Sequence, residues 1–446
     1  MSIYKACDIR GIFGRELDEH TAYLIGRAVG SIMNGQTLAV GGDVRISTPA
    51  LKSELIRGIL ESGTSVADLG LIPTPALYFA LHHLDVAGGI TVTASHNPPQ
   101  YNGFKLMLGS MPVDSAYIQM LAKKVDEQVF IDGQGHLTYE DILTPYEQHI
   151  LELHTRGKGK VVIDSGNGSM SLLAPSVFCK LGYDVVPLYC DFDGSFPNRD
   201  PNPAVYEHLT DLCRTVIDNR ADFGIAFDGD GDRVVFVDDK GNVAKTEQSF
   251  VLFINYYLKG KPSSVVYDLK SSSIIKNAVL DMGGTPIMER SGHAFIKKRF
   301  LENGSVLGGE ISGHFFFKEL GYDDGLHAAL IMARIIQESG VSLSELVSRI
   351  PKSLITPDIR VFCPYTEQDH WLDQVRKQGE KLGRSVQLTE IDGVRLEFSD
   401  GWLLVRKSVT EESITIRIEA DSKSSMRRIK KDLQQILPQV RGVQGL

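Results

Sequence analysis

Three stretches of the chain share one rhythm. In TLAVGGDVRIS (from Thr37), KVVIDSGNGSM (from Lys160) and SVVYDLKSSS (from Ser264), an apolar run enters a loop of small and polar residues. A helical pattern then follows each: Thr48 to Ser62, Ser171 to Leu181 and Ser272 to Met282. Strand, loop and helix in repetition predict α/β units with largely parallel strands. Ligand-binding loops in such sheets lie at the carboxyl ends of the strands. The rhythm is one of periods rather than of residue identity, and it predicts three similar domains.

After SLITPDIRVFCP the pattern changes. GVRLEFSD, GWLLVRKSV and SITIRIEADS alternate apolar and polar residues, as antiparallel strands with one buried face do. Ile414, Ile416 and Ile418 face one way; Thr415, Arg417 and Glu419 face the other. Asp400-Gly401 supplies a turn. A final helix places Met426, Ile429, Leu433 and Ile436 on one stripe, with Arg427, Arg428, Lys430 and Lys431 on a solvated face. Polar, glycine-containing HTRGKGK and YLKGKPSSVV mark two further breaks. The expected division is 1–150, 151–253, 254–357 and 358–446: three α/β domains with mixed, mostly parallel sheets and a small C-terminal α+β domain.

Composition narrows the function. The chain has 446 residues, more than one core holds, with 42% hydrophobic and 23% charged residues, as in ordinary globular proteins. No apolar run approaches the ~20 residues that span a bilayer, and the start, MSIYKACDIRG, lacks a signal-peptide hydrophobic region. The five cysteines are scattered without a CxxC pair, which suits a reducing cytoplasm. A net charge of -9 argues against general nucleic-acid binding, so an anionic substrate would need local cations or a metal.

FDGDGDRVVFVDD is the sharpest chemical signal. Asp228, Asp230 and Asp232 alternate with glycines between two predicted strands. Carboxylates this close repel one another unless a cation offsets them, and hard oxygen ligands select Mg²⁺ or Ca²⁺. An EF-hand would also place Asp239 at its twelfth position, but it needs glycine where Arg233 stands, and helices where strands are predicted. A purely structural acidic turn is the bland alternative. TASHNPPQYNGFK displays Ser95 and His96 on a loop, because Pro98 disfavours helix at Asn97, and Lys105 returns on the next strand. Alone, Ser95 reads as a turn serine; a Ser-His hydrolase lacks its GxSxG elbow here. GGEISGHFFF places Glu310, Ser312 and His314 on a glycine-flanked loop suited to sugar hydroxyls, or simply on a hairpin with a core histidine. RKSVTEES offers a cation and hydroxyls that suit phosphate, although Arg-Lys-Ser is also common surface chemistry.

Together and in this order, CDIRG, TASHNP, DGDGDR, SGHAFIK, GGEISGH and RKSVT resemble the α-D-phosphohexomutase family, most of all its bacterial phosphomannomutase and phosphomannomutase/phosphoglucomutase branch. The resemblance covers nearly the whole chain. It implies four domains around a central cleft, the last of a TATA-binding-protein-like fold. It implies that Ser95 carries a phosphoryl group and that Asp228, Asp230 and Asp232 hold Mg²⁺ with it. Arg10, Lys105 and Arg233 would surround the transferring group, with His96 and Asn97 completing the loop. Glu310 and Ser312 would recognise the sugar, and Arg406, Ser408 and Thr410 the substrate's other phosphate. Lys270 and His293 match further cleft positions; His314, His293 and Lys105 are the candidate bases. Two departures stand out: Cys7 replaces a frequent tyrosine, and Val409 with Ser413 replaces an asparagine and a proline, which removes one phosphate donor.

The implied reaction interconverts hexose 6-phosphate and hexose 1-phosphate, of mannose with glucose as a further candidate, through a hexose 1,6-bisphosphate that serves as intermediate and activator. Small sugar phosphates would be the partners of a cytoplasmic monomer or dimer, with neither nucleic acid nor membrane. A phosphoglucosamine mutase, a metal-dependent phosphatase using Ser95 and a non-catalytic sugar-phosphate sensor are the alternatives.

Overall fold

A computed structural model describes residues 3–379, 381–382, 387–408 and 412–445. Four sheets follow one another along the chain. The first contains β1 (Ile9–Ile12), β2 (Thr37–Gly42), β3 (Ser65–Leu71), β4 (Gly88–Val92), β5 (Tyr101–Leu108), β6 (Met111–Pro112) and β7 (Leu137–Tyr139). The second contains β8 (Lys160–Asp164), β9 (Asp184–Leu188), β10 (Phe223–Phe227), β11 (Val234–Asp238) and β12 (Val243–Ala244). The third contains β13 (Ser264–Asp268), β14 (Thr285–Glu289), β15 (Leu307–Gly309), β16 (Phe315–Phe317) and β17 (Tyr322–Asp323).

These three sheets are variations on one plan. A central strand (β2, β8, β13) lies parallel to two neighbours: β3 and β4, β9 and β10, β14 and β15. The second of those neighbours then turns back into an antiparallel partner: β4 into β5, β10 into β11, β15 into β16. The central strands and β4, β10 and β15 are buried on both faces by flanking helices, which is why they read as short apolar runs, whereas the edge strands β9 and β14 are only half-buried. At or just after the end of each central strand stands an aspartate whose Oδ1 accepts the N–H two residues on: Asp43 from Arg45 at 3.0 Å, Asp164 from Gly166 at 2.7 Å, Asp268 from Lys270 at 2.8 Å. This turn ends the strand in all three sheets and turns the chain toward its helix.

The helices after β2 and β13 run Thr48–Leu60 and Ser273–Asp281, close to expectation. The helix expected from Ser171 is divided into a 3₁₀ turn, Ser169–Leu172, and an α-helix, Ala174–Lys180. Pro175 lies in the first turn of that α-helix, where its missing N–H costs nothing; farther inside, it would break the ladder.

The fourth sheet contains β18 (Leu354–Ile355), β19 (Ile359–Phe362), β20 (Gln387–Thr389), β21 (Val394–Phe398), β22 (Gly401–Lys407) and β23 (Ser413–Ala420), all antiparallel to their partners. Ile414, Ile416 and Ile418 are buried against helices Tyr365–Gly379 and Lys423–Ile436, as their alternation predicts. The opposite face corrects the expectation of a single buried face. Glu419 is 2% exposed and Trp402 1% exposed, because this face packs on the third domain. Glu419 accepts from the N–H of Ser273 at 2.8 Å, from both serine hydroxyls of Ser272 and Ser273, and from Trp402 Nε1. Periodicity shows that a face is polar; it does not show whether water or another domain meets it.

Helix Leu143–Leu153 joins the first two domains and lies among three. Its Tyr146 packs on Phe79 of the first domain and donates to Asp324 Oδ2 of the third at 2.7 Å.

Candidate active site

The sheet plan decides where the chemistry lies. The serine loop is the β4–β5 turn, the aspartate loop is the β10–β11 turn, and the Glu310 loop is the β15–β16 turn. The three are equivalent turns of three repeats, each at the carboxyl end of a parallel strand, where open α/β sheets hold ligands.

The first two loops meet directly. Ser95 is buried, with φ at 51°, and its Oγ donates to Asp228 Oδ2 at 2.9 Å. His96 Nδ1 is farther from Oγ, at 3.4 Å. The loops can approach because residue 229 is glycine: a Cβ there would lie 2.7 Å from the Ser95 carbonyl oxygen. Thr74 fastens the aspartate loop to the first domain through its N–H to the Asp230 carbonyl at 2.8 Å and its Oγ1 to Asp230 Oδ2 at 2.7 Å.

Asp228, Asp230 and Asp232 are fully buried, and each offers an oxygen within 4.8 Å of the others. Burial, with Asp230 and Asp232 alongside, pushes the Asp228 carboxyl up to about 8. Burial also disfavours charge on Asp230, but Lys105 and the Thr74 hydroxyl hold it well below the usual carboxylate range. Lys105 Nζ donates to Asp230 Oδ2 at 2.7 Å and to Asp232 Oδ2. Although buried, Lys105 is held above its ordinary value by Asp230, Asp232 and Asp228, so it remains cationic. Asp230 Oδ1 and Asp232 Oδ1 are buried without a hydrogen-bond partner. Paired hard oxygens left unsatisfied in a dry loop fit a divalent cation such as Mg²⁺. Asp239 does not join them: its carboxylate takes the N–H and hydroxyl of Ser344, and β10 and β11 flank the loop, so an EF-hand is excluded.

Cations and imidazoles enclose the aspartates. On β1, Arg10 bonds Asp8 at 2.7 Å, Asn97 Oδ1 at 2.5 Å and the Ala94 carbonyl at 3.3 Å. Arg233 donates through Nε to His314 Nε2 at 2.9 Å and stands 3.8 Å from Asp228 Oδ2. His314 must therefore present a lone pair at Nε2 and its proton at Nδ1, which faces Asp323 Oδ2 at 2.7 Å. The other Asp323 oxygen lies 2.9 Å from His293 Nε2. Burial lowers His293, and burial with Arg233 and Arg10 holds His96 well below the ordinary histidine value, so both rings are neutral.

The remaining expected residues lie on the third and fourth domains. Glu310 and Ser312 share a turn closed by Gly313 N–H to the Glu310 carbonyl at 3.0 Å, and Ser312 Oγ is buried without a partner. Lys270 Nζ is 3.4 Å from Asp358 Oδ2. On β22, Arg406 reaches Asp392 at 3.0 Å and, among the described residues, makes no ion pair with the aspartate loop. Ser408 follows β22, its N–H on the Ser413 carbonyl at 2.9 Å. Thr410 lies outside the described residues. Cys7, in the frequent tyrosine position, has a thiol that burial and then Asp8 push up to about 11, so it is protonated.

Sequence reasoning missed Asp323, Thr74 and Asp268. Asp268 is fully buried, and its Oδ2 lacks a partner beside Lys270 and Glu310. The aspartate that recurs after each apolar run was the available signal for Asp268; Asp323 and Thr74 show none.

Comparison with known proteins matches the chain domain by domain. Residues 1–131, 143–241 and 245–354 match domains I, II and III of phosphoglucomutase/phosphomannomutase, each described as alpha/beta/alpha, and residues 362–436 match its C-terminal domain. A phosphomannomutase/phosphoglucomutase of Pseudomonas putida is 38% identical over 96% of this chain and 94% of its own. A phosphoglucomutase of Neisseria meningitidis is 38% identical over 98% of this chain and 96% of its own. A crystal structure of a phosphoglucomutase/phosphomannomutase family protein from Burkholderia thailandensis superposes with a TM-score of 0.93 at 35% identity, covering 99% of this chain and 98% of the other.

Proposed function

Since the chain belongs to the phosphoglucomutase/phosphomannomutase family, we propose that this hexose-phosphate mutase works through a phosphoryl group carried on Ser95. The observation that carries the reading is the Ser95 hydroxyl 2.9 Å from Asp228, inside a three-aspartate loop whose Asp230 and Asp232 keep unpartnered oxygens. Asp228, Asp230 and Asp232 would hold Mg²⁺, which would neutralise the charge of the transferring group.

The chain's own residues do the rest. Arg10, Lys105 and Arg233 surround the phosphoryl oxygens, where charge spreads in the transition state. In the first half-reaction the sugar hydroxyl attacks phosphorus. The bond from phosphorus to Ser95 Oγ breaks with its electron pair left on Oγ, ready to attack the second phosphate; a bond to the sugar oxygen forms, and the hydroxyl proton moves to His314 Nε2 as Arg233 turns toward the phosphate. The aspartates that hold Lys105 above its ordinary value favour it as a phosphoryl ligand over a base. The product is a hexose 1,6-bisphosphate. After it turns over, its other phosphate returns to Ser95, His314 gives back the proton, and the isomeric monophosphate leaves. The same bisphosphate, added in trace, recharges an enzyme that has lost its phosphate.

Glu310, Ser312 and Lys270 hold the sugar. Arg406 and Ser408, on another domain, hold the phosphate that is not being transferred, so one clamp serves both orientations. The names of the relatives point to mannose and glucose phosphates. Comparing kcat/KM for mannose 1-phosphate, glucose 1-phosphate and glucosamine 1-phosphate, with Mg²⁺ and a trace of bisphosphate, tests the reading. Accumulation of inorganic phosphate in place of an isomerised sugar phosphate would overturn it in favour of a phosphatase.

A further inference from the structure

The loop that displays Ser95 is held from behind by one guanidinium. Arg45 is fully buried, as is its partner Asp43. All five of its side-chain N–H groups are engaged. Nε donates to Asp43 Oδ2 at 3.1 Å. Nη1 donates to the carbonyls of Pro98 at 2.8 Å and Tyr101 at 3.0 Å. Nη2 donates to the carbonyls of Ser95 at 2.7 Å and Asn97 at 2.6 Å. Asp43 also accepts from Thr93 Oγ1 at 2.7 Å, and that same oxygen accepts the N–H of Ser95 at 2.8 Å. The serine is therefore fixed at both its N–H and its carbonyl by one buried network.

Two consequences follow. Ser95 occupies the left-handed region, φ 51°, which costs a non-glycine residue energy unless its surroundings over-determine it. Four carbonyl oxygens of the loop are also drawn inward onto a cation. A phosphoryl group on Oγ thus meets a loop whose negative peptide ends are turned away and neutralised, rather than lone pairs that would repel it. The second domain seals this arrangement. Phe196 covers the guanidinium, its ring 5.1 Å away, and Gly194 bridges to Arg45, where a Cβ would lie 2.2 Å from the Val44 carbonyl oxygen. The aspartate loop has a counterpart: Arg199 pairs with Asp164 at 2.8 Å and donates to the carbonyl of Phe227, the residue before Asp228, at 2.7 Å.

We propose that Arg45, acting with Asp43 and Thr93, is a positioning residue for phosphoryl transfer: it holds Ser95 at the angle and depth from which the group is handed to the sugar. This inference rests on the reading of Ser95 as the phosphoryl carrier. A lysine at residue 45 would keep the charge but cannot fork across four carbonyls.

The test uses the full-length enzyme with Arg45→Lys, Thr93→Val and Thr93→Ser. Phosphate on Ser95 is mapped by mass spectrometry, and the single-turnover rate to glucose 1-phosphate is measured per phosphorylated site. Arg45→Lys and Thr93→Val lower that rate by about 100-fold, as small misplacements of a reacting group do. Their KM stays within about threefold of the parent, because the substrate is held elsewhere, and more of the phosphoryl group is lost to water. Thr93→Ser, which keeps the hydroxyl, restores transfer. If Arg45→Lys yields no folded protein, the Thr93 pair decides. An unchanged rate per phosphorylated site, with only a lower melting temperature, overturns the inference and leaves Arg45 a structural group. A change confined to KM also overturns it. Phosphate mapped to another residue of the parent enzyme overturns the carrier reading and this inference with it, a result distinct from the other two.

Discussion

Ser95 Oγ and Asp228 Oδ2 are 2.9 Å apart, although 133 positions separate them in the chain. The contact joins equivalent turns of two repeats, which places the Ser95 hydroxyl in the dry aspartate loop. Ser95→Ala should therefore abolish multiple turnover while leaving the fold intact. Alanine keeps the Cβ, so the backbone strain at φ 51° is unchanged. The hydrogen bond is what is lost, on the order of 1 kcal/mol. Intact mass should show part of the parent protein heavier by one phosphate and none of the variant so; near-normal turnover in the variant would refute the carrier role.

Lys105 stands where its charge offsets Asp230 and Asp232. Lys105→Met should lower kcat by about 10²–10³-fold, the usual cost of one aimed electrostatic donor. It should also leave the buried carboxylates without their cation. The metal-free variant is then less stable than the metal-free parent, and Mg²⁺ recovers more. Melting scans with and without Mg²⁺ should show a larger metal-induced rise in the variant. An equal or smaller rise would mean that Lys105 is not the counter-charge of the empty loop.

His154 makes stability depend on acid. It lies beside the helix that joins the first two domains, and Arg334 donates to its Nδ1 at 3.3 Å while its Nε2 faces His327 Nδ1 at 3.0 Å. A proton on Nδ1 would point at an arginine. Burial, with His327 and Arg334, holds its pKa down to about 2. The sign follows: the folded state keeps His154 neutral, whereas the unfolded chain binds a proton below about pH 6.5. Its contribution to stability is present above that pH and is lost as pH falls toward 2, by up to ~1.4 kcal/mol per unit. Glutamine preserves one donor and one acceptor without a titrating ring, so His154→Gln should show a shallower fall of Tm between pH 7 and pH 5. Parallel curves would refute the assignment.

How far the chain can be read without coordinates depends on what each feature needs. Ser95, Asp228 and Glu310 lie in loops whose composition departs from the strands around them, so local chemistry marks them. Their equivalence was hidden. The rhythm visible in the sequence belongs to β2, β8 and β13, whereas the functional turns follow β4, β10 and β15, and only strand order relates one to the other. Asp323 shows the other limit. It orients two histidines, yet in GYDDG it is a polar residue before a helix; its partner His314 is set by how β17 lies beside β16, and His293 arrives from the start of helix His293–Glu302. Thr74, Arg45 and Glu419 are alike in this: each is polar, buried and paired across segments, and no period in the chain encodes the pairing.

Glu419 tests whether the fourth domain is held where the proposed phosphate clamp needs it. Its carboxylate receives the Ser273 N–H, two serine hydroxyls and Trp402 Nε1, and Arg406 lies on β22, the strand paired with its own. In Glu419→Gln the amide group would turn a donor toward donors, and the site loses the charge that strengthens each bond. A loss of about 1–3 kcal/mol is expected, read as a lower melting temperature. KM for the sugar phosphate should rise more than kcat falls, because the clamp shifts while the serine and aspartate loops on other domains do not. The neighbouring Lys276–Glu397 pair, at 2.9 Å with Lys276 about a third exposed, is the control. Lys276→Ala should cost no more than about 1 kcal/mol and leave KM alone. If the two variants behave alike, the interface is a general packing surface rather than one that Glu419 fixes.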